Sequence, residues 1–364
     1  MKVGILGGGQ LGWMTILEGR KLGLNFFVLD SDPHAPASRI ADRWFSPEEV
    51  DEFVRLCDVI TYEFEHIEEE ILQRAEGKTV PNLTALRLKQ NRGEEKNFLY
   101  KHGYPVANFR RGKLSQLKGL LQEIGFPAVV KCEKLGYDGK GQYRVFREED
   151  IEVILENHSE EESFVVEEFI DFQGEVSAVG VRDSEGNIKV FPITENIHDE
   201  GILLYNRTAE RLTCEKEIVS IVSQLLEDLK IVGLLAVEFF VTKEHKVLIN
   251  EFAPRPHNTG HYTLDGCYTS QFENLLRAIT GLPLGSTKLK ASAGMVNILG
   301  MSLDELPIEE ILRIEGTKIY WYGKEKKPRR KVGHINVVSR NESQTEEKLE
   351  KLLRIIYQGE PSLR

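Results

Sequence analysis

The apolar positions of this chain follow two successive rhythms. Near the start, short apolar runs are separated by helical periods. Residues 2–6 end in Gly7-Gly8-Gly9-Gln10-Leu11-Gly12, a helical pattern continues to about Leu22, and a second strand spans Asn25 to Asp30. Cys57 to Thr61 reads as another strand and Glu68 to Arg74 as a helix. Strands alternating with helices predict a parallel sheet covered on both faces, in a unit closing near Asn91. The second rhythm is richer in strands: Phe126 to Cys132, Phe164 to Ile170, Glu175 to Arg182 and Lys189 to Pro192, with Ser184-Glu185-Gly186-Asn187 as a turn. Glu215 to Leu229 has apolar residues at helical spacing. Leu235 to Val241 and Lys246 to Phe252 follow as two strands, and a tail unit begins near Ala291. The expected class is therefore α/β joined to α+β, in units 1–91, 92–290 and 291–364, with about 105–170 as a subdomain of the middle one.

Composition narrows the function. At 364 residues the chain exceeds what one core usually serves. Its net charge of −11 disfavours nucleic acid or an anionic membrane as a partner for the whole surface, so a phosphate-bearing ligand must find local positive charge or backbone amides. The four cysteines have no metal-type spacing and form no disulfide framework. No apolar run is long enough to cross a membrane, and the first one is too short for a signal peptide, so a cytoplasmic protein is expected.

Two glycine loops compete as nucleotide sites. The first fits GxGxxG between strand and helix, and Asp30 lies at the end of the second strand, which is the pattern of an NAD-binding dehydrogenase. A tight turn alone also explains those glycines. The second loop, Gly136-Tyr137-Asp138-Gly139-Lys140-Gly141-Gln142, follows Val129-Val130-Lys131. It is not a Walker loop, but its amides can cover phosphates, with Lys131 as a fixed charge and Lys140 as a second. A hairpin turn is the plainer alternative.

Two acids carry the sharpest signal. If the strands holding Glu238 and Glu251 form a hairpin about Glu244-His245, the two carboxylates face each other among apolar neighbours. Opposed buried carboxylates repel, and a divalent cation removes the conflict, Mg²⁺ or Mn²⁺ rather than zinc. Alternatively one acid points to solvent or pairs with an arginine such as Arg255. The following Ala253-Pro254-Arg255-Pro256-His257-Asn258-Thr259-Gly260-His261 is a stiffened polar segment suited to face substrate. From Gly316 to Lys331 there are seven basic residues, with Glu325 as the one acid against them after residue 318. Such a run behind Tyr320, Trp321 and Tyr322 can bind nucleic acid, be a solvated loop (Lys326, Lys327, Arg329), or anchor one phosphate of a small substrate.

These features together resemble the ATP-grasp ligases. The strings at 136–142, Gly-Glu-Val-Ser (174–177), the segment 250–261 and Arg-Lys-Val-Gly-His (330–334) are similar to the N5-carboxyaminoimidazole ribonucleotide synthetase family, over a stretch from the first loop to about Val338. The resemblance implies an ATP-grasp fold with a Rossmann-like N-terminal domain and a small C-terminal domain. It implies ATP-dependent carboxylation of aminoimidazole ribonucleotide by bicarbonate, through carboxyphosphate, by a homodimer. By the same resemblance, ATP meets Arg92, Lys131, Gly136, Tyr137, Asp138, Gly139, Lys140, Gly141, Gln142, Glu167, Glu168, Phe169, Ile170, Glu175, His198, Asn250 and Glu251. Residues 167–170 offer backbone groups to adenine and Glu175 takes the ribose. Glu238 and Glu251 hold Mg²⁺. The ribonucleotide meets Gln10, Leu11, Glu63, Tyr137, Asp138, Asn258, Lys324, Arg330 and Lys331. Arg255, His257 and Lys131 are the catalytic candidates. Asp30 is left without a role. Ala253 stands where many ATP-grasp enzymes carry asparagine, and Trp13 where arginine is frequent. A formate-dependent glycinamide ribonucleotide formylating enzyme of the same superfamily, the NAD dehydrogenase and a non-catalytic ATP sensor are the competing readings.

Overall fold

The computed structural model describes residues 1–134, 141–209 and 211–357. Tyr137, Asp138 and the rest of 135–140 lie outside them, so the expectations placed on Gly136 to Lys140 are not addressed. The first unit holds β1 (Lys2–Leu6), β2 (Asn25–Leu29), β3 (Arg43–Phe45) and β4 (Val59–Tyr62), with α1 (Gln10–Arg20), α2 (Val50–Leu56), α3 (Glu69–Ala75) and α4 (Leu83–Lys89); α5 (Arg92–Lys101) follows it and packs Leu99 with Val176, Val237 and Phe239. Its four strands are parallel in the order β3-β2-β1-β4, as the alternating pattern predicts, with the short β3 added. The expected strand from Cys57 starts instead at Val59, because the Cys57 amide still closes the last turn of α2 on Phe53.

A second sheet is antiparallel, β5 (Phe109–Lys113), β8 (Ser163–Glu168), β6 (Ala128–Cys132) and β7 (Gln142–Val145), in that spatial order, with α6 (Leu117–Ile124) and α7 (Glu152–Asn157). The amphipathic α6 buries Leu117 and Leu121 in one core with Val130, Phe164 and Val166 of this sheet.

The third sheet has nine strands: β9 (Phe172–Arg182), β10 (Ile188–Val190), β11 (Thr194–Asp199), β12 (Ile202–Thr208), β13 (Gly233–Thr242), β14 (Val247–Ala253), β15 (Ser292–Leu299), β16 (Thr317–Trp321) and β17 (Lys331–Ser339). Its order is β14-β13-β9-β11-β12-β15-β17-β16, with β10 on β9. The strands after residue 291 thus extend the same sheet through the β12–β15 pairing, while α11 (Ile308–Leu312) and α12 (Glu342–Tyr357) give that end its own core. The helix α8 (Glu215–Asp228) buries Ile218, Val222, Leu225 and Leu226 against the sheet, and Val222 and Leu226 come so close to Gly180 that a Cβ there would lie 2.7 Å from each. The short α9 (Thr263–Gly266) and α10 (Gln271–Ile279) lie between this sheet and the first unit. One core joins Val3, Ile5, Phe26 and Val28 to Val179, Leu234, Leu275 and Leu276, which fixes the carboxyl ends of β1 and β4 beside the large sheet.

Candidate active site

The β13–β14 hairpin decides the chemistry of the site. Its turn spans 243–245, closed by the Thr242 amide on the Lys246 carbonyl at 2.9 Å, with His245 left-handed at φ 60°. That turn pairs Val241 with Val247 and Phe239 with Ile249, one residue out of step with a hairpin centred on Glu244-His245. A register shift between Glu238 and Phe239 then inserts one extra residue, Asn250, and brings Glu238 opposite Glu251. The expected pairing therefore holds, but through a bulge that corrects a displaced turn. The extra residue also re-aims its side chain: Asn250 and Glu251 both line the same cleft as Glu238.

The two carboxylates are not equivalent. Burial pushes Glu238 up, the facing Glu251 pushes it further, and the result is about 7. Burial acts on Glu251 as well, but the Lys89 ammonium, 2.6 Å from Oε2, outweighs it and holds Glu251 well below the usual carboxylate range. Lys89 also reaches Glu95 at 3.3 Å. The expected alternative partner, Arg255, instead pairs with Glu65 at 2.7 Å. Burial lowers Arg255's pKa, and Glu65 more than offsets that. Two facing oxygen-donor acids in a cleft, Glu238 at 15% and Glu251 at 38% side-chain exposure, fit a hard divalent cation on a polyphosphate. Among the described residues no group of three or more His, Cys, Asp or Glu could hold a metal without such a ligand. Ala253 is buried beside Ala236 and offers no donor.

Apart from Gly141, the remaining expected residues among those described line that cleft, a space of about 1470 Å³. Lys131 is buried, 3.1 Å from Glu167 and 3.3 Å from Asn250. Glu167 is held at about 2, because Lys131 and Lys96 (3.1 Å) outweigh its burial. The amides of Glu168 and Phe169 donate to the carbonyls of Asn108 and Pro127. Arg92 opens α5 with its guanidinium on the Cys132 carbonyl at 3.2 Å. Glu175 and His198 pair at 3.2 Å. His257 lies 3.8 Å from Glu238, with Nδ1 on the Thr259 hydroxyl at 2.9 Å. Its burial, with Arg255 beside it, drives its pKa well below the ordinary value. Asn258, Gln142 and Ile170 line the same space. Gly141 is absent from the lining; its carbonyl accepts the Cys132 amide at 2.8 Å.

At the other end, Lys324 bonds Gln10, and Leu11, Glu63, Arg330 and Lys331 complete the wall. Here the dinucleotide reading fails. The Glu63 carboxylate accepts the amides of Gly9 (2.6 Å), Leu11 (3.0 Å) and Gly12 (3.1 Å), occupying the place at the α1 N-terminus that a pyrophosphate would take. A Cβ at Gly9 would sit 2.2 Å from Glu63 Oε1, which is why glycine stands there. Asp30 accepts the Gly8 amide at 2.6 Å and the Asp32 amide at 2.8 Å, so its role is to brace the loop. The basic run is also better opposed than its sequence suggests. Arg329 meets Asp199 and Glu200, Lys326 meets Glu305, and Lys318 meets Asp265. Trp13 packs edge-on against Tyr322 at 6.2 Å.

Sequence reasoning missed Lys89, Glu95, Lys96 and Glu65. A signal existed for two of them: Glu95, Lys96 and Leu99 share the buried face of α5, and two charges on a core face imply partners.

Three family models match successive stretches: a ribonucleotide synthetase preATP-grasp domain over 1–90, an ATP-grasp domain over 97–272, and a phosphoribosylaminoimidazole carboxylase C-terminal domain over 293–348. The chain is 56% identical to an N5-carboxyaminoimidazole ribonucleotide synthase of Aquifex aeolicus over 356 residues, covering 98% of this chain and 97% of that one. A crystal structure of the phosphoribosylaminoimidazole carboxylase ATPase subunit from Aquifex aeolicus superposes with TM-score 0.87 at 52% identity, covering 98% and 100%. A synthase from Aspergillus clavatus in complex with ADP and 5-aminoimidazole ribonucleotide superposes with TM-score 0.91 at 27% identity, covering 98% and 99%.

Proposed function

The chain belongs to the N5-carboxyaminoimidazole ribonucleotide synthase family of ATP-grasp ligases, and from that premise we propose how its cleft divides the work. The protein is an ATP-dependent ligase that carboxylates 5-aminoimidazole ribonucleotide to the N5-carboxy product in purine biosynthesis. Bicarbonate is the carbon source in our reading. It is a weak electrophile, so it takes the γ-phosphoryl group of ATP, giving ADP and carboxyphosphate. The exocyclic amine of the ribonucleotide then bonds to the carboxyl carbon, phosphate leaves, and the amine gives up a proton.

Lys131 and Arg92 would draw the phosphates, 167–170 would meet the base and Glu175 the ribose; all of them line the cleft. Glu238 and Glu251 would hold Mg²⁺ (or Mn²⁺), which supplies neutralisation of the phosphate oxygens. Arg255, held by Glu65, is set to bind the bicarbonate carboxyl. Neutral His257 is set to take the amine proton. Lys324, Arg330 and Lys331 are set for the ribonucleotide phosphate, near the loop that Glu63 stiffens. One observation carries this reading: the acid pair, Lys131 and the basic segment all line one cleft. No helix among the described residues is long and apolar enough to cross a membrane. We place the enzyme in the cytoplasm as a homodimer acting on small molecules, with neither nucleic acid nor membrane as partner.

Phosphate release tests it. Aminoimidazole ribonucleotide with bicarbonate should stimulate ATP cleavage, whereas glycinamide ribonucleotide with formate should not. Stimulation by the second pair alone would favour the formylating enzyme, and none by either would favour an ATP sensor; both would overturn the proposal.

A further inference from the structure

We propose that Gln271, Asn206 and Asn336 are positioning residues: three buried carboxamides that hold alternate carbonyls of the segment 257–261 and so aim His257 and Asn258 into the cleft. The inference rests on the reading of His257 and Asn258 as substrate-facing groups and goes beyond it to what holds them.

The segment needs partners of this kind. It leaves β14 through Pro254 and Pro256 and belongs to no sheet, yet Thr259, Gly260 and His261 are buried. Buried carbonyls without a ladder must find donors elsewhere. Three separate elements supply them. Gln271, the first residue of α10, donates from Nε2 to the His257 carbonyl at 2.7 Å. Asn206 of β12 donates from Nδ2 to the Thr259 carbonyl at 2.8 Å. Asn336 of β17 donates from Nδ2 to the His261 carbonyl at 2.9 Å. The three residues are exposed by 0%, 0% and 1%, so water does not compete for these bonds.

Gln271 grips from both sides. Its Oε1 accepts the His257 amide at 3.0 Å, so one side chain holds both polar backbone groups of His257 and fixes the direction of its Cα–Cβ bond. The start of α10 is tied back in turn: the Gln271 amide donates to the Thr263 hydroxyl at 3.0 Å, and that hydroxyl donates to the Gly260 carbonyl at 2.6 Å. Asn258 lies between two held carbonyls, and its side chain lines the cleft beside that of His257. Asn336 extends the device across the molecule. It follows Lys331 on β17, so the strand that begins at the proposed ribonucleotide phosphate anchor also holds the His257 segment. An apolar side chain at any of the three sites could fill the space, but it could not orient a peptide plane, and a misplacement of about 1 Å is enough to slow a reaction about 10²-fold.

Ribonucleotide-stimulated ATP cleavage and hydrogen–deuterium exchange over residues 255–262, both measured on the full chain, test this. Gln271→Met keeps the length of the stem and loses both polar atoms. It should speed exchange over 255–262 and lower kcat about 10–100-fold, with the KM for ATP within about twofold of wild type. In a His257→Ala background the same substitution should lower kcat by less than about twofold further, because the group it aims is gone. Wild-type kcat in Gln271→Met would overturn the proposal. Unchanged exchange would also overturn it, as would the full loss of kcat repeated in the His257→Ala background. Wild-type kcat in His257→Ala alone would instead sink the reading of His257, whereas the exchange measurement judges the clamp by itself. Should Gln271→Met fail to fold, Asn206→Ala, which removes the hold on Thr259, decides by the same readings.

Discussion

Glu63 and Glu238 both put a carboxylate into the wall of one cleft, and burial raises the pKa of both, but the protein gives them different partners. Around Glu63, burial raises the pKa and prevails, with Asp30 adding to it, although the amides of Gly12 and Gly9 and the charge of Lys324 pull it down. Around Glu238, burial, Glu251 and Glu175 all push upward, with His198 and Lys89 opposing. The first acid finds its partners in the main chain and thereby closes a site that its glycines advertise. Among the described residues the second has no hydrogen-bonded cation of its own, and the facing Glu251 and Glu175 make the conflict worse. A loop that satisfies its own amides is scaffold; a pair of acids left in opposition is a place for a ligand.

The largest effect should separate the two directly. Glu251→Gln or Glu238→Gln should lower ribonucleotide-stimulated ATP cleavage by about 10²–10³-fold while leaving the unfolding midpoint within a few degrees of wild type. Glu63→Ala should do the reverse. Stranding three amides at the α1 N-terminus should cost about 3 kcal/mol of stability, read as a lower midpoint in denaturant, with ADP affinity largely retained. A full loss of ADP binding in Glu63→Ala would erase the distinction. Glu65→Gln keeps the shape and removes the charge opposite Arg255. It should raise the KM for bicarbonate about tenfold, more than that for ATP.

The smallest effect concerns a third way of satisfying an acid. Glu167, held at about 2 by Lys131 and Lys96, is ionised in the folded state over a range where the unfolded chain binds a proton. Its contribution is fully present above pH 4.5 and is lost as pH falls through that value toward 2. Glu167→Gln should flatten the slope of stability against pH in that window, measured by urea titration, and an unchanged slope would count against the buried pair.

Much of this is legible in the amino-acid sequence. The alternating pattern predicts the parallel sheet, and the expected Glu238–Glu251 pairing holds. It holds because two one-residue register shifts cancel: the turn is centred on Glu244 rather than between Glu244 and His245, and the bulge at Asn250 restores the register. Periodicity of two sees neither. Lys89 and Glu95 are not legible as partners of Glu251, because α4 and α5 meet β14 only in the folded chain. That Glu63 and Asp30 brace the first glycine loop escapes the sequence reading for a related reason. A GxGxxG string records that something approaches a backbone closely, and the approaching group here is the protein's own carboxylate. The charge of the segment 318–331 is legible, whereas the acids that neutralise much of it, Asp199, Glu200, Glu305 and Asp265, come from distant parts of the chain.

The central claim is that the facing carboxylates of β13 and β14 bind a divalent cation together with the nucleotide. Calorimetric titration of ADP, with and without Mg²⁺, into wild type and Glu238→Gln tests it most directly. The account predicts that Mg²⁺ tightens ADP binding to the wild type by about 10–100-fold and leaves Glu238→Gln nearly unaffected. An equal gain from Mg²⁺ in both proteins would contradict it.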